Sequence, residues 1–277
     1  MDDAAYNGSN PRTHHVVPLH PPLPVSGVVV AFNERDRIER CLDSLLAVCA
    51  EVILVDSGST DGTVELARAK SVEVVHQDWL GYAAQKNLAI SRATRRWVLL
   101  LDADEWLEPE ACRSLVALFQ NERNECADVW QLQRRTHFLG KAMRFGSFSR
   151  EPVERLFRAH LRHVVQPVHE YLDTKGQRVA LSSIRLEHDT ARSPAEYRQK
   201  LGRYAVLWAD AAALRGKTGG AIRGVTSALA YAMKNLLIRG GLLDGPRAWR
   251  FHWIHMRYSM QKYSLLGTAS RTGRQQG

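Results

Sequence analysis

The chain has 277 residues and a mass of 31.2 kDa, long enough for one large α/β domain or a core domain with an appendage. With 45% hydrophobic and 24% charged residues, the composition excludes a mostly disordered chain. The formal charge of +9 is unevenly placed, since residues 190–277 hold 15 Lys and Arg against 3 Asp and Glu while the rest hold 23 against 26.

A near-neutral body joined to a basic C-terminal segment calls for an anionic partner there: nucleic acid, anionic lipid headgroups or a phosphorylated polysaccharide. The four cysteines (Cys41, Cys49, Cys112, Cys126) form no C-x-x-C pair and read as reduced thiols in a cytosol. There is no run of about twenty uncharged apolar residues; the best stretch, 221–238, contains Arg223 and Lys234. The N-terminus has no apolar core of a secretory signal, so a cytoplasmic protein is expected.

Residues 1–24 hold five prolines and three histidines without periodicity, which predicts a flexible lead-in; His14 and His15 there are an incidental pair. From residue 25 the pattern changes. VSGVVVAF is a short β-branched run, followed by helical spacing of Ile38, Cys41, Leu42, Leu45 and Cys49, with Asp36 and Glu39 placed as a capping box. EVILVD (51–56), SVEVV (71–75) and WVLLL (97–101) are three further strands. Helices are expected at about 61–70, with Asp61 as its cap, at 81–94, and again from Pro109. Apolar strands alternating with helices predict a parallel sheet buried on both faces, whose ligands bind beyond the carboxyl ends of the strands. Asn33 and Glu34, Asp56, and Asp102 with Asp104 follow three of those ends.

Residues 128–189 are short, aromatic and partly alternating, and predict mixed strands walling the cleft. Ser193-Pro-Ala-Glu196 reads as an N-cap, N1 proline and N3 glutamate, and further helices are expected at about 221–239 and 246–265. The expected organisation is a core over 25–190 in two halves, 25–120 and 121–190. A basic aromatic appendage over 191–265 and a disordered tail over 266–277 follow.

LLLDADEW (99–106) carries the main chemical signal. Two carboxylates leaving a buried strand suit Mg²⁺ or Mn²⁺, which keep positions open for substrate phosphates. No G-x-G-x-x-G and no P-loop occurs, so hydride transfer with a dinucleotide and P-loop hydrolysis lose their usual support.

AFNE (31–34), VDSGSTDGT (55–63), GYAAQKN (81–87) and LDADE (101–105), in this order, resemble family 2 glycosyltransferases of the nucleotide-diphospho-sugar transferase (GT-A) fold. PVHEYL (167–172), LEHDT (186–190) and LLDGPRAW (242–249) extend the resemblance to bacterial lipopolysaccharide core β-glucosyltransferases. The resemblance implies a mostly parallel sheet flanked by helices with a C-terminal helical appendage. It implies an inverting, metal-dependent transfer of a sugar, glucose from UDP-glucose, to an inner-core sugar of lipopolysaccharide. It places Asn33 and Glu34 at the nucleotide, Asp56 at uracil or ribose, and Lys86 at the diphosphate or base. Asp102 would face ribose or metal, with Asp104 the principal metal ligand and His188 a further one. An acceptor hydroxyl needs a carboxylate base within hydrogen-bond reach; Glu170 is the choice, with Glu154 and then Glu105 behind it. Tyr and Trp interleaved with cations over 197–263 predict peripheral contact with an anionic inner-membrane surface. Transfer to a polyprenyl phosphate, and a non-catalytic nucleic-acid-binding protein on the same fold, are the rival readings.

Overall fold

The computed structural model describes residues 21–165 and 170–272. The lead-in over 1–20, Pro167 to His169 of the PVHEYL motif and the last five residues of the expected tail lie outside the described residues.

The first half winds as β1 (Leu23–Ala31), α1 (Ile38–Leu46), β2 (Cys49–Asp56), α2 (Thr63–Ala69), β3 (Glu73–His76), α3 (Tyr82–Ser91) and β4 (Trp97–Asp102). All four strands are parallel, in the order β3-β2-β1-β4, as expected for strands without a polar face. Alternate residues serve the two faces. Val25, Val29, Leu99 and Leu101 pack with α1, α2 and α4 (Pro109–Gln120), whereas Val28, Val55, Val98 and Leu100 pack under Ala89 and Ile90 of α3.

The second half completes the sheet. β5 (Glu105–Trp106), β6 (Val129–Phe138), β7 (Lys141–Ala142), β8 (Glu151–Arg158) and β11 (Val179–Asp189) extend it to nine strands among the described residues, in the order β3-β2-β1-β4-β8-β6-β11-β5, with β7 beside β6. β8 runs antiparallel to both β4 and β6, and β11 runs parallel to β6. β9 (His163–Val164) and β10 (Tyr171–Leu172) form a separate small pair.

Three local expectations change. β1 starts at Leu23, inside the expected lead-in. The capping box of α1 does not form: its N-cap is Arg37, and the Asp36 carboxylate instead accepts two hydrogen bonds from Arg192, each 2.7 Å. A long-range bidentate guanidinium outcompetes a local backbone donor for the carboxylate. Asp61 accepts from Thr63 N at 3.0 Å, but the N-cap position of α2 is Gly62, at φ 93°.

The appendage comprises α5 (Pro194–Leu214), α6 (Ala221–Ala232), which widens into π-helical turns over Met233–Ile238, and α7 (Pro246–Thr272). α5 begins as expected, with Ser193 Oγ accepting from Glu196 N at 3.1 Å. α7 runs seven residues past the expected end at 265, because nothing in LLGTASRT breaks a helix: it lacks proline and its single glycine, Gly267, lies against the backbone of Gly219 and Gly220. α5 and α7 close over β6 through Phe138, Tyr197 and Phe251. α6 lies on α7 through its small residues, Gly224 and Ala228.

Candidate active site

The register brings the motif ends to one level of the sheet. Asp56 lies opposite Ala31 and Asp102 opposite Val30, so the loops carrying Asn33, Ser57–Gly62 and Asp104 leave the same rim. Asn33, at φ 56°, ties two of them together: its side-chain Oδ1 accepts from Thr60 N at 2.9 Å, and its own N–H donates to Ser59 Oγ at 2.8 Å. Asp56 is buried and folds its own loop, accepting from Gly58 N and Ser59 N at 2.8 Å each and from Ser59 Oγ at 2.5 Å. Glu34 is held by a two-pronged bond from Arg37, 2.8 Å on each prong, and by Arg192 at 3.1 Å. Burial raises its pKa in spite of these cations.

The QKN triplet of α3 organises the centre. Gln85 spans Leu80 N, Gln77 O and Ser57 Oγ. Asn87 clamps the backbone of His163 on β9, donating to its carbonyl at 2.8 Å and accepting from its N–H at 2.7 Å. Between them Lys86, only 6% exposed, reaches Asp102 Oδ1 at 3.1 Å and Glu170 Oε1 at 3.2 Å. It is therefore not a solvated lysine on an amphipathic helix.

Sequence reasoning missed Arg155 of β8. Its Nη2 donates to Asp102 Oδ2 at 2.5 Å and to Glu105 Oε1 at 2.7 Å. Burial alone would raise the Asp102 pKa, but Arg155 and then Lys86 outweigh it and hold the carboxyl well below its ordinary range. Glu105 is fully buried; it also takes Arg134 at 3.3 Å and the Asp102 N–H at 3.1 Å. No acceptor hydroxyl reaches a carboxylate so enclosed, which removes Glu105 as a base. Glu154 accepts from Gln131 Nε2 at 2.8 Å and has no bond to Lys86, Asp102 or Asp104 among the described residues. The one sequence signal for Arg155 is a single cation among the apolar residues of VERLF, too slight to single out.

Asp104 and His188 meet. β11 pairs with β5 so that His188 lies opposite Glu105, and Asp189 N donates to Asp104 O at 2.9 Å. His188 Nε2 then stands 3.4 Å from Asp104 Oδ2, and Arg37 Nη1 is 3.8 Å from the same oxygen. Burial opposes ionisation of Asp104, yet the imidazole and Lys200 keep its pKa well below the usual carboxylate value. His188 Nδ1 is buried with no hydrogen-bond partner among the described residues. This carboxylate–imidazole pair fits a divalent ion that completes its shell from phosphate oxygens and water. No group of three His, Cys, Asp or Glu side chains converges for a metal among the described residues, and the oxygens of Asp102, expected to share the ion, are taken up by Lys86 and Arg155.

A family model described as Glycosyl transferase family 2 matches residues 26–172, just over half of the sequence. The chain belongs to glycosyl transferase family 2. Among curated relatives of this family-2 chain, the lipopolysaccharide core biosynthesis glycosyltransferase LpsC of Rhizobium meliloti is 34% identical over 125 residues, 43% of this chain and 45% of that protein. An uncharacterized glycosyltransferase of Rickettsia bellii is 36% identical over 109 residues, 39% of this chain and 37% of its own length. The chain thus spans less than half the length of the curated relatives it matches. Among solved structures, S. aureus TarS 1–349 in complex with UDP-GlcNAc is 15% identical, covering 91% of this chain and 92% of that chain, with a TM-score of 0.43. Glucosyl-3-phosphoglycerate synthase from Mycobacterium tuberculosis, with Mn²⁺ and UDP-glucose, is 24% identical, covering 42% and 44%, with a TM-score of 0.32.

Proposed function

We propose that this chain is an inverting, metal-dependent glycosyltransferase that moves glucose from UDP-glucose to an inner-core sugar of lipopolysaccharide, working at the inner-membrane surface. The observation that carries the chemistry is the convergence of Asp104 with His188 and of Lys86 with Asp102 and Glu170 at one rim of the sheet. The acceptor class is supported by the likeness to LpsC, the lipopolysaccharide core glycosyltransferase.

In this reading Asp104 and His188 hold Mg²⁺ or Mn²⁺. The ion supplies positive charge to the diphosphate. Asn33, Glu34 and Asp56 shape the loops that receive the nucleotide, and the Lys86 ammonium adds a second cation where the departing UDP gathers charge. The acceptor oxygen forms a bond to the anomeric carbon as the bond from that carbon to the UDP oxygen breaks, and the hydroxyl proton passes to Glu170.

The test is UDP release from a panel of UDP-sugars, with Mn²⁺ or Mg²⁺ and truncated lipopolysaccharide acceptors. Asp104→Ala should lower release by at least about a hundredfold while leaving the melting temperature near that of the parent. Glu170→Gln should lower turnover with UDP binding unchanged. Full activity of Asp104→Ala would remove the metal. Full activity of Glu170→Gln would pass the base to Glu154. Release with a polyprenyl phosphate but with no lipopolysaccharide acceptor would replace the acceptor class.

A further inference from the structure

α6 is inside out for a helix in water. Its small residues face α7, where a side chain on Gly224 would come within 2.9 Å of the Met260 carbonyl, and Tyr231 turns the same way, bonding His252 Nδ1 at 2.8 Å and stacking on His255. Its large aliphatic residues face outward: Ile222, Val225 and Leu229, continued by Met233 at the start of the π-helical turns, have the spacing of one helical stripe and are all exposed, Ile222 to 83%. The turn into α7 continues this surface. Ile238 and Leu243 are 75% and 73% exposed, and Trp249 is fixed there by an Nε1–H bond to Leu242 O at 2.9 Å. One turn along α7, Trp253 is 60% exposed. Contiguous apolar surface of this kind marks a contact.

Charge decides what covers it. Residues 217–262 carry eight cations and one acid. The acid, Asp244, is buried and spent on the backbone N–H groups of Arg144 and Phe145. Lys234, Arg239, Arg247, Arg250 and Arg257 are exposed and make no ion pair among the described residues. A second copy seated on this face would bring the same unpaired cations against one another. An anionic bilayer satisfies both parts, since apolar side chains enter the acyl boundary while the cations meet lipid phosphates. No described helix is long and apolar enough to cross a membrane, so the pair lies along the surface.

We infer that the outer face of α6 and the α6–α7 turn insert into an anionic lipid surface, anchored by Ile238, Leu243 and Trp253 and rimmed by Lys234, Arg247 and Arg250. This deepens the membrane partner of the proposed function but stands on the geometry of the appendage alone, so it is tested without donor or acceptor. The full chain is sedimented with vesicles of phosphatidylethanolamine and phosphatidylglycerol, and with phosphatidylcholine vesicles.

Binding should be at least about tenfold tighter to the phosphatidylglycerol vesicles, and should weaken about tenfold in Ile238→Ser/Leu243→Ser and again in Arg247→Gln/Arg250→Gln. All four side chains are exposed, Arg247 Nη1 donates to Leu139 O at 3.0 Å, and an unchanged melting curve checks that the fold is preserved. Equal binding of parent and both variants, equal affinity for the two vesicle types, or no binding at all overturns the inference. So does a dimeric parent that Ile238→Ser/Leu243→Ser converts to a monomer, which would make a second copy the occupant. UDP release with a detergent-dispersed acceptor should be the same in parent and variants; failure there in the parent counts against the transferase reading and leaves the surface inference standing.

Discussion

At the scale of single residues, the neighbouring acids of the LDADE motif have three different fates. Asp102 is a charge partner, Glu105 a buried strut, and Asp104 alone faces His188. Arg155 makes the difference, because it neutralises the first two at once. Replacing it with methionine fills much of the same volume but leaves Glu105 buried with the Asp102 N–H at 3.1 Å and, among the described residues, Arg134 at 3.3 Å as its one cation. Arg155→Met should lower unfolding free energy by about 3–5 kcal/mol, measurable by urea titration. Glu105→Gln should lose stability as well, with little change in turnover of the folded fraction, because Glu105 contacts no solvent. The sequence made the acids legible because strand ends are recognisable from apolar runs. It could not reveal which acid is free, since the cation that decides lies fifty positions away on an antiparallel strand.

At the scale of elements, short-range signals fared unevenly. Ser193 caps α5 as its spacing predicts, and Pro109 occupies the first turn of α4. Asp36 does not cap α1, because Arg192 arrives from 156 positions away. The four parallel strands were readable from their apolar runs and the helical spacing between them. β5, two residues long, was not, for its identity depends on pairing with β11 rather than on propensity. The close contact of α6 with α7 gives its own prediction. Gly224→Val would force a branched side chain onto the Met260 backbone. The appendage should loosen, at a cost of about 1–3 kcal/mol, seen as a lower melting temperature and faster amide exchange in α6 with exchange in β1 and β4 unchanged.

At the scale of the whole molecule, acid should weaken the fold before Asp102 and Asp104 titrate. Burial pushes His163 down to about 3, His252 to about 4 and His255 to about 3. In the unfolded chain each returns to about 6.5. Below that value the unfolded state binds protons that the native state refuses, so stability falls as pH is lowered. Between about pH 6.5 and 5 the loss is about 2 kcal/mol per histidine. Asp102 and Asp104, both depressed, keep their contribution throughout this window and lose it only in stronger acid. Urea midpoints taken through the window should decline steadily; a flat profile would mean that these imidazoles are protonated in the fold.

The strap from Arg192 to the β1–α1 loop bears on how such enzymes can diversify. The family match ends at residue 172, yet His188 and the Arg192 bonds to Asn33 O, Glu34 and Asp36 come later in the chain. The first half is thus not a transplantable cassette. A recombination event that exchanged everything after residue 172 would remove half of the Asp104 pairing and unfasten the β1–α1 loop in one step. A crossover placed beyond the opening turns of α5 would keep both, and would exchange only the helices that meet the outside world.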